Sequence, residues 1–206
     1  MRPIIAATLS LALLTACGGV RDDLTVTPEP LGHFRLAHNI VKANDPQMGP
    51  FSRTVSNEEW EAAVKDAIQA RMGRYEGDAW YHIAVGVQGY IVAEPGIPLV
   101  YSPKSVLIFE VTFFEDATSS RLNPEPIQLT VFEPCCSIIF GSGLTRTREE
   151  QIEGLAFNAA RAIERLARQN GEWFGDRNEV QAADPTIRDG NVFADDPAAV
   201  VPASSN

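Results

Sequence analysis

The sequence contains few of the cysteines and histidines that build zinc centres and disulfide frameworks. It has three cysteines and three histidines in 206 residues, and no two cysteines stand at the Cys-x-x-Cys spacing of zinc and redox sites. Cys135 and Cys136 are adjacent, and Cα atoms about 3.8 Å apart are too close for an unstrained disulfide. We expect no metal, no cofactor and two small packed or loop thiols. A metal or redox site, a disulfide to another chain or a strained vicinal bond are the alternatives.

Basic residues are also scarce and form no run. The chain has 17 lysines and arginines against 27 aspartates and glutamates, which gives a net charge of −10. A nucleic-acid ligand is excluded, because phosphate backbones are bound by clustered positive charge. The same charge disfavours attraction of the folded domain to anionic lipid. We therefore expect any contact with a membrane to be made by an anchor outside the folded domain.

Long apolar runs are missing as well, and the nearest approach to one lies at the N-terminus. The stretch from Ile4 to Leu14 is mainly apolar, but it is much shorter than the ~20 residues that span a bilayer. Arg2 precedes this stretch, and the small residues Thr15 and Ala16 follow it. This order is typical of a secretory signal. We predict a signal peptide over residues 1–16 and no transmembrane helix.

The four residues Leu14-Thr15-Ala16-Cys17 resemble the lipobox of bacterial lipoproteins. The resemblance implies that Cys17 receives a diacylglyceryl thioether and becomes the first residue of the mature protein. Two or three acyl chains hold a protein stably on a membrane, whereas one chain does not. Gly18, in place of an aspartate, favours the periplasm-facing leaflet of the outer membrane. The alternative is an ordinary secreted protein.

The remainder of the chain divides into three parts. Residues 17–30 contain glycine, proline and charge without apolar periodicity, which indicates a lipidated N-terminus and tether. Residues 31–174 carry the patterned sequence of one domain. Residues 175–206 are rich in Asp, Ala, Pro and Asn, which predicts a disordered acidic tail. Truncation after Phe174 is therefore expected to leave the domain folded.

Alternating and helical patterns within the domain predict six elements. Phe34, Leu36, His38 and Ile40 alternate with more polar residues in a first strand. Two capping boxes, Ser56 to Glu59 and Thr147 to Glu150, predict helices that end near Met72 and at Asn170-Gly171. Three further strands are predicted at 80–92, 105–115 and 127–132.

The order β-α-β-β-β-α predicts an α+β two-layer sandwich. We expect a mainly antiparallel sheet of about four strands with two amphipathic helices on one face. This arrangement resembles the fold of small envelope lipoproteins of the transport-auxiliary and lipopolysaccharide-assembly groups. The resemblance implies an envelope protein, and it covers residues 31 to 174 without a diagnostic motif.

The residues that commonly perform catalysis form no recognisable constellation. His33 and His38 are an odd number of positions apart, so one regular strand would point them to opposite faces, and His82 lies on the polar face of another strand. Gly141-Ser142-Gly143 lacks both the Gly-x-Ser-x-Gly order and the P-loop lysine. Glu110 and Glu115 are acid-base candidates in name only. We predict no catalytic residue, and an envelope hydrolase is the least favoured alternative.

The two faces of the predicted sheet differ in composition. Ile83/Val85/Val87 and Leu107/Phe109/Val111/Phe113 are expected to face the helices. The opposite rows carry six large apolar residues among polar ones, namely Trp80, Tyr90, Val106, Ile108, Phe114 and Phe132. An exposed apolar patch of several hundred Å² usually marks an interaction site. The alternative is that Ser137 to Phe140, or the chain near Trp173, covers the patch.

Together these patterns predict a non-catalytic binding or accessory module, anchored to the membrane and facing the periplasm. Its expected partner is an envelope protein or a lipid-like molecule. The alternative is a structural envelope lipoprotein that only associates with itself.

Overall fold

The computed structural model describes residues 22–94, 104–133 and 146–175. Its elements are β1 (Phe34–Lys42), β2 (Gln47–Met48), α1 (Asn57–Met72), β3 (Ala79–Ile91), β4 (Val106–Glu115), β5 (Ile127–Phe132) and α2 (Arg148–Gln169). Two 3₁₀ turns flank them, at Asp22–Thr25 and Gly171–Phe174. The predicted element order is confirmed, with the two-residue β2 as an addition. The predictions for the signal peptide, Cys17, Cys135, Cys136, the 141–143 glycines and residues 176–206 lie outside the described residues.

Both helices begin at the predicted capping boxes. The Ser56 hydroxyl accepts a hydrogen bond from the Glu59 backbone N–H at 3.2 Å, and the Glu59 carboxylate accepts one from the Ser56 N–H at 2.9 Å. Thr147 and Glu150 make the same two bonds at the start of α2. These reciprocal bonds satisfy backbone donors that have no partner within the helix. The local sequence therefore fixes where each helix begins.

One mixed sheet forms the second layer, with the strand order β1-β3-β4-β5 and with β2 beside β3. The predicted α+β sandwich is confirmed. The β3–β4 and β4–β5 pairs are antiparallel, whereas β1 and β2 are parallel to β3. The parallel pairs arise because the chain crosses over through α1 before it returns to the sheet.

The core lies between the sheet and the two helices. Every residue of the two predicted inner rows of β3 and β4 is buried, so this prediction is confirmed. The helices contribute Trp60, Val64 and Ile68 from α1 and Leu155 and Ile163 from α2, all buried in the same cluster. The opposite side of the sheet carries no helix in the part of the chain that the structure describes.

A β-bulge between Leu36 and His38 changes the faces of β1. The prediction that His38 and Ile40 share the face of Phe34 is wrong. Ile40 is 55% exposed, whereas Asn39 and Val41 are buried. A bulge inserts one unpaired residue, so every later side chain of the strand moves to the opposite face.

A second bulge, between Val87 and Gly89, does the same to β3. Tyr90, expected on the outer face, is buried on the helix side, where its ring lies 5.3 Å from that of Trp60. Its hydroxyl bonds the backbone of Val55. Ile91, which in a regular strand would share the inner face of Val87, is correspondingly turned outward and is only partly buried.

The segment before β1 is bound to the ends of the helices. The guanidinium of Arg74 donates to the Val26 carbonyl oxygen at 2.8 Å, and that of Arg168 donates to the Glu29 carbonyl oxygen at 3.4 Å. The described end of the predicted tether, residues 24–30, therefore lies against the helix layer. None of the helices in the described ranges has an apolar stretch sufficient to cross a membrane.

Candidate functional site

The side of the sheet opposite the helices is the candidate site, and we call it the open face. Its first part, the aromatic end, consists of Arg35, His38, Trp80, His82 and Phe114. The strand register assembles it, because Arg35 pairs with Trp80, and His82 pairs with both His38 and Phe114. Three strands from distant parts of the chain thus contribute neighbouring side chains.

The aromatic end is organised by ring contacts. The guanidinium of Arg35 lies 5.1 Å from the centroid of the Trp80 ring, a cation–π contact. The rings of His38 and His82 are stacked with centroids 5.4 Å apart and planes 12° from parallel. The guanidinium of Arg121 lies 5.8 Å from the Phe114 ring. Trp80 is nevertheless 47% exposed, so a large aromatic surface is presented to solvent.

Two of the histidines near this end, His33 and His82, are held by carboxylates. His82 Nε2 lies 2.7 Å from an Asp116 oxygen, and His33 Nδ1 lies 2.6 Å from an Asp78 oxygen. The bond from His33 lowers the pKa of the Asp78 carboxyl. The bulge in β1 places His38 on the face of Arg35, so spacing alone misjudged its direction. No group of three His, Cys, Asp or Glu side chains able to hold a metal occurs among the described residues.

The second part of the open face, the apolar end, consists of Ile91, Val106, Ile108 and Phe132. Val106 pairs with both Ile91 and Phe132 across the sheet. Phe132 is 44% exposed, and the other three side chains are partly buried. An apolar group therefore stands at each end of the open face.

Polar side chains separate the two ends. Gln88 donates a hydrogen bond to the Glu110 carboxylate at 3.2 Å. Glu115, at the end of β4, accepts one from the Thr118 hydroxyl at 2.6 Å. The two glutamates considered as acid-base candidates thus each bond a different neutral side chain. The Glu110 bond orders the sheet surface, and the Glu115 bond orders the turn that follows β4.

Five of the six residues predicted to bind a partner lie on the open face, and Tyr90 does not. Trp173 packs 5.6 Å from Phe113, a core residue on the helix side, so the described chain near Trp173 does not cover the open face. Ser137 to Phe140 lie outside the described residues. The sequence analysis did not identify Arg35 and Arg121. Each of these arginines lies next to an aromatic side chain only in the observed strand register, so the sequence alone does not reveal the contact.

Comparison with known proteins gives distant structural likenesses only. No family model and no curated protein sequence matches the chain. A Xanthomonas campestris protein of the DUF330 family has 13% identity and a TM-score of 0.46, and the match covers 71% of this chain and 91% of that one. A minor lipoprotein from Acinetobacter baumannii has 17% identity and a TM-score of 0.29, with 63% and 93% coverage. PelC from Paraburkholderia phytofirmans, a dodecamer, has 9% identity and a TM-score of 0.35, with 65% and 91% coverage.

Proposed function

We propose that this protein is a lipid-anchored envelope protein that binds another envelope protein through the open face, without catalysis. The observation that carries the proposal is the aromatic end, in which Trp80 lies beside Arg35, and Phe114 lies against the neighbouring Arg121. Aromatic and arginine side chains supply most of the affinity at protein interfaces. Single exposed apolar residues are normal on protein surfaces, whereas neighbouring large aromatic side chains on one face are typical of an interaction site.

The size of the open face fits a protein partner. β4 contains ten residues and the sheet is four main strands wide. At about 3.3 Å per residue and 4.8 Å between strands, the face covers about 600 Å². A standard protein interface buries about 800 Å² on each partner. The open face with its rim therefore provides most of one such interface.

The attachment of the N-terminal segment supports a protein partner rather than the membrane itself. Arg74 and Arg168 bind this segment at the helix layer, on the opposite side of the sheet from Trp80. Cys17 is five residues before Asp22, a distance of at most about 18 Å along an extended chain. An anchor at Cys17 would hold the helix layer close to the bilayer and leave the open face directed away from it.

The anchor is tested by labelling cells with a fatty-acid analogue. We expect the wild-type protein to take up label and to fractionate with membranes, and Cys17→Ser to remain unlabelled. Acyl chains provide the membrane affinity in this proposal. Label on Cys17→Ser together with unchanged membrane fractionation would disprove the anchor.

The docking face is tested by crosslinking in native envelopes. Trp80→Ala and Ile108→Asp remove apolar surface from the two ends of the open face, and Gln69→Asp introduces the same negative charge on an exposed position of α1. We expect the crosslinked heteromeric product to be lost in the first two variants and retained in the third. Circular dichroism of each purified variant shows whether it is folded.

Three results count against the proposal. If folded Trp80→Ala and Ile108→Asp both retain the heteromeric product, the open face is not the docking site. If the only product is a dimer of this chain, the function is self-association. If Ile108→Asp unfolds while Trp80→Ala binds normally, the apolar end belongs to the core.

A further inference from the structure

A groove runs between α1 and α2 on the outer side of the helix layer, and we call it the helix groove. It has a volume of about 580 Å³. The two helices lie side by side in the same direction, since Arg148 bonds Glu59 near their N-terminal ends and Arg71 bonds Glu164 near their C-terminal ends, each at 2.7 Å. The groove therefore has fixed walls, because ion pairs join the helices at both ends.

The floor of the helix groove is apolar. Ala67 of α1 and Ile152 and Phe157 of α2 line it, together with other alanines of both helices. Leu24, from the 3₁₀ turn before β1, also lines the groove. A segment of this chain thus already places one apolar side chain in the groove, at the end where Arg74 binds Val26.

The rim of the helix groove is acidic. Four carboxylates line it, those of Glu59, Asp66, Glu149 and Glu153, against the single guanidinium of Arg148. That guanidinium makes two hydrogen bonds with Glu59, at 2.9 and 2.7 Å, and a longer one with Glu149, at 3.4 Å. The Glu59 charge is thereby neutralised locally, and the lining retains a formal excess of negative charge along an apolar floor.

We propose that the helix groove binds a cationic amphipathic helix of a partner protein. An amphipathic helix places its apolar face in such a groove, and lysines or arginines flanking that face would meet the carboxylates of the rim. The wall from Glu59 to Ala70 on α1 is about 16 Å long at 1.5 Å per residue. It therefore accommodates about three turns. The proposal concerns a different surface from the open face, on the side that the proposed anchor would hold toward the bilayer, so the partner helix would bind next to the membrane surface.

The test uses a synthetic Leu/Lys peptide of about 18 residues with helical periodicity, and fluorescence anisotropy with the full-length purified protein. The control peptide has the same composition in a scrambled order without an apolar face. We expect only the periodic peptide to bind, with micromolar affinity that weakens as salt is raised. Two variants then locate the binding. Asp66→Lys changes an exposed residue of the groove lining, whereas Glu58→Lys changes an exposed residue of the same helix outside the lining.

The two variants change the net charge equally, so they separate the groove from general attraction to an acidic protein. We expect Asp66→Lys to weaken binding about tenfold and Glu58→Lys to change it less than about twofold. Ala62→Trp, at an exposed position of the lining, should weaken it by obstructing the groove while the net charge stays constant. Equal binding of the scrambled peptide, or equal losses in Asp66→Lys and Glu58→Lys, would overturn the proposal. So would unchanged binding to Ala62→Trp.

Discussion

Replacing Phe174 by alanine should destabilise the whole domain, although Phe174 lies after the last α-helix. Its side chain is fully buried. Its ring is 5.1 Å from those of Phe34 and Tyr81, and 5.8 Å from that of Phe113. The Phe174 carbonyl oxygen also accepts a hydrogen bond from the His33 N–H at 2.7 Å. One ring therefore joins β1, β3 and β4 at the end of the core.

The expected cost follows from the burial of this ring. Phenylalanine-to-alanine changes in cores cost about 3–5 kcal/mol, because the cavity is only partly refilled. The value should lie in the upper half of that range, since three aromatic partners lose an edge-to-face contact. For a domain of this size, each 1 kcal/mol lowers the thermal midpoint by about 2–4 °C. We expect a decrease of about 10 °C or more.

The measurement is thermal unfolding followed by circular dichroism, with urea unfolding at 25 °C for the free energy. Phe51→Ala is the matched control, because Phe51 is 71% exposed and its loss should change stability by less than about 0.5 kcal/mol. A decrease of less than about 2 °C for Phe174→Ala corresponds to less than about 1 kcal/mol. Such a result would refute the assignment of Phe174 to the core. Truncation after Phe174 should leave the midpoint nearly unchanged.

Three further predictions concern single side chains. Gly32→Ala should cost more than about 1 kcal/mol in urea unfolding, because Gly32 has φ +53° and an added Cβ would lie 2.3 Å from the Phe174 carbonyl oxygen; an unchanged midpoint would contradict this. Glu164→Ala should cost about 3–5 kcal/mol in the same assay, since it deprives buried Arg71 of its carboxylate partner at 2.7 Å; a loss below about 1 kcal/mol would show that the pair is not buried in solution. Folding lowers the pKa of Glu59 from 4.5 to about 2 through its bonds with Arg148 and the Ser56 backbone. The contribution of the ionised Glu59 carboxylate to the free energy of unfolding is therefore complete above pH 4.5 and is lost as the pH falls towards 2. Glu59 is 45% exposed, and the contribution is therefore below about 1 kcal/mol; the stability difference between wild type and Glu59→Gln should disappear near pH 2, and a constant difference would refute the linkage.

The local sequence by itself determined the order of the two helices and the four main strands, and where each helix begins. Ser56 with Glu59, and Thr147 with Glu150, fixed the start of each helix because both partners of a capping box lie within four residues. The alternation in β3 and β4 likewise identified the buried rows, since side chains of a regular strand point to its two faces in turn. These features depend on neighbours in the chain, so a single sequence contains them in full.

Only the tertiary structure decided which side chains meet on the open face. The bulge after Val87 turned Tyr90 inward, and the bulge after Leu36 brought His38 against His82. An extra residue in a strand is set by how that strand fits its partner, and the partner of β1 is more than 40 residues away in sequence. The cation–π contact of Arg35 with Trp80 depends on the same register. The sequence patterns predicted that the open face would carry large apolar side chains. Which side chains lie on that face depends on the pairing of strands that are distant in sequence.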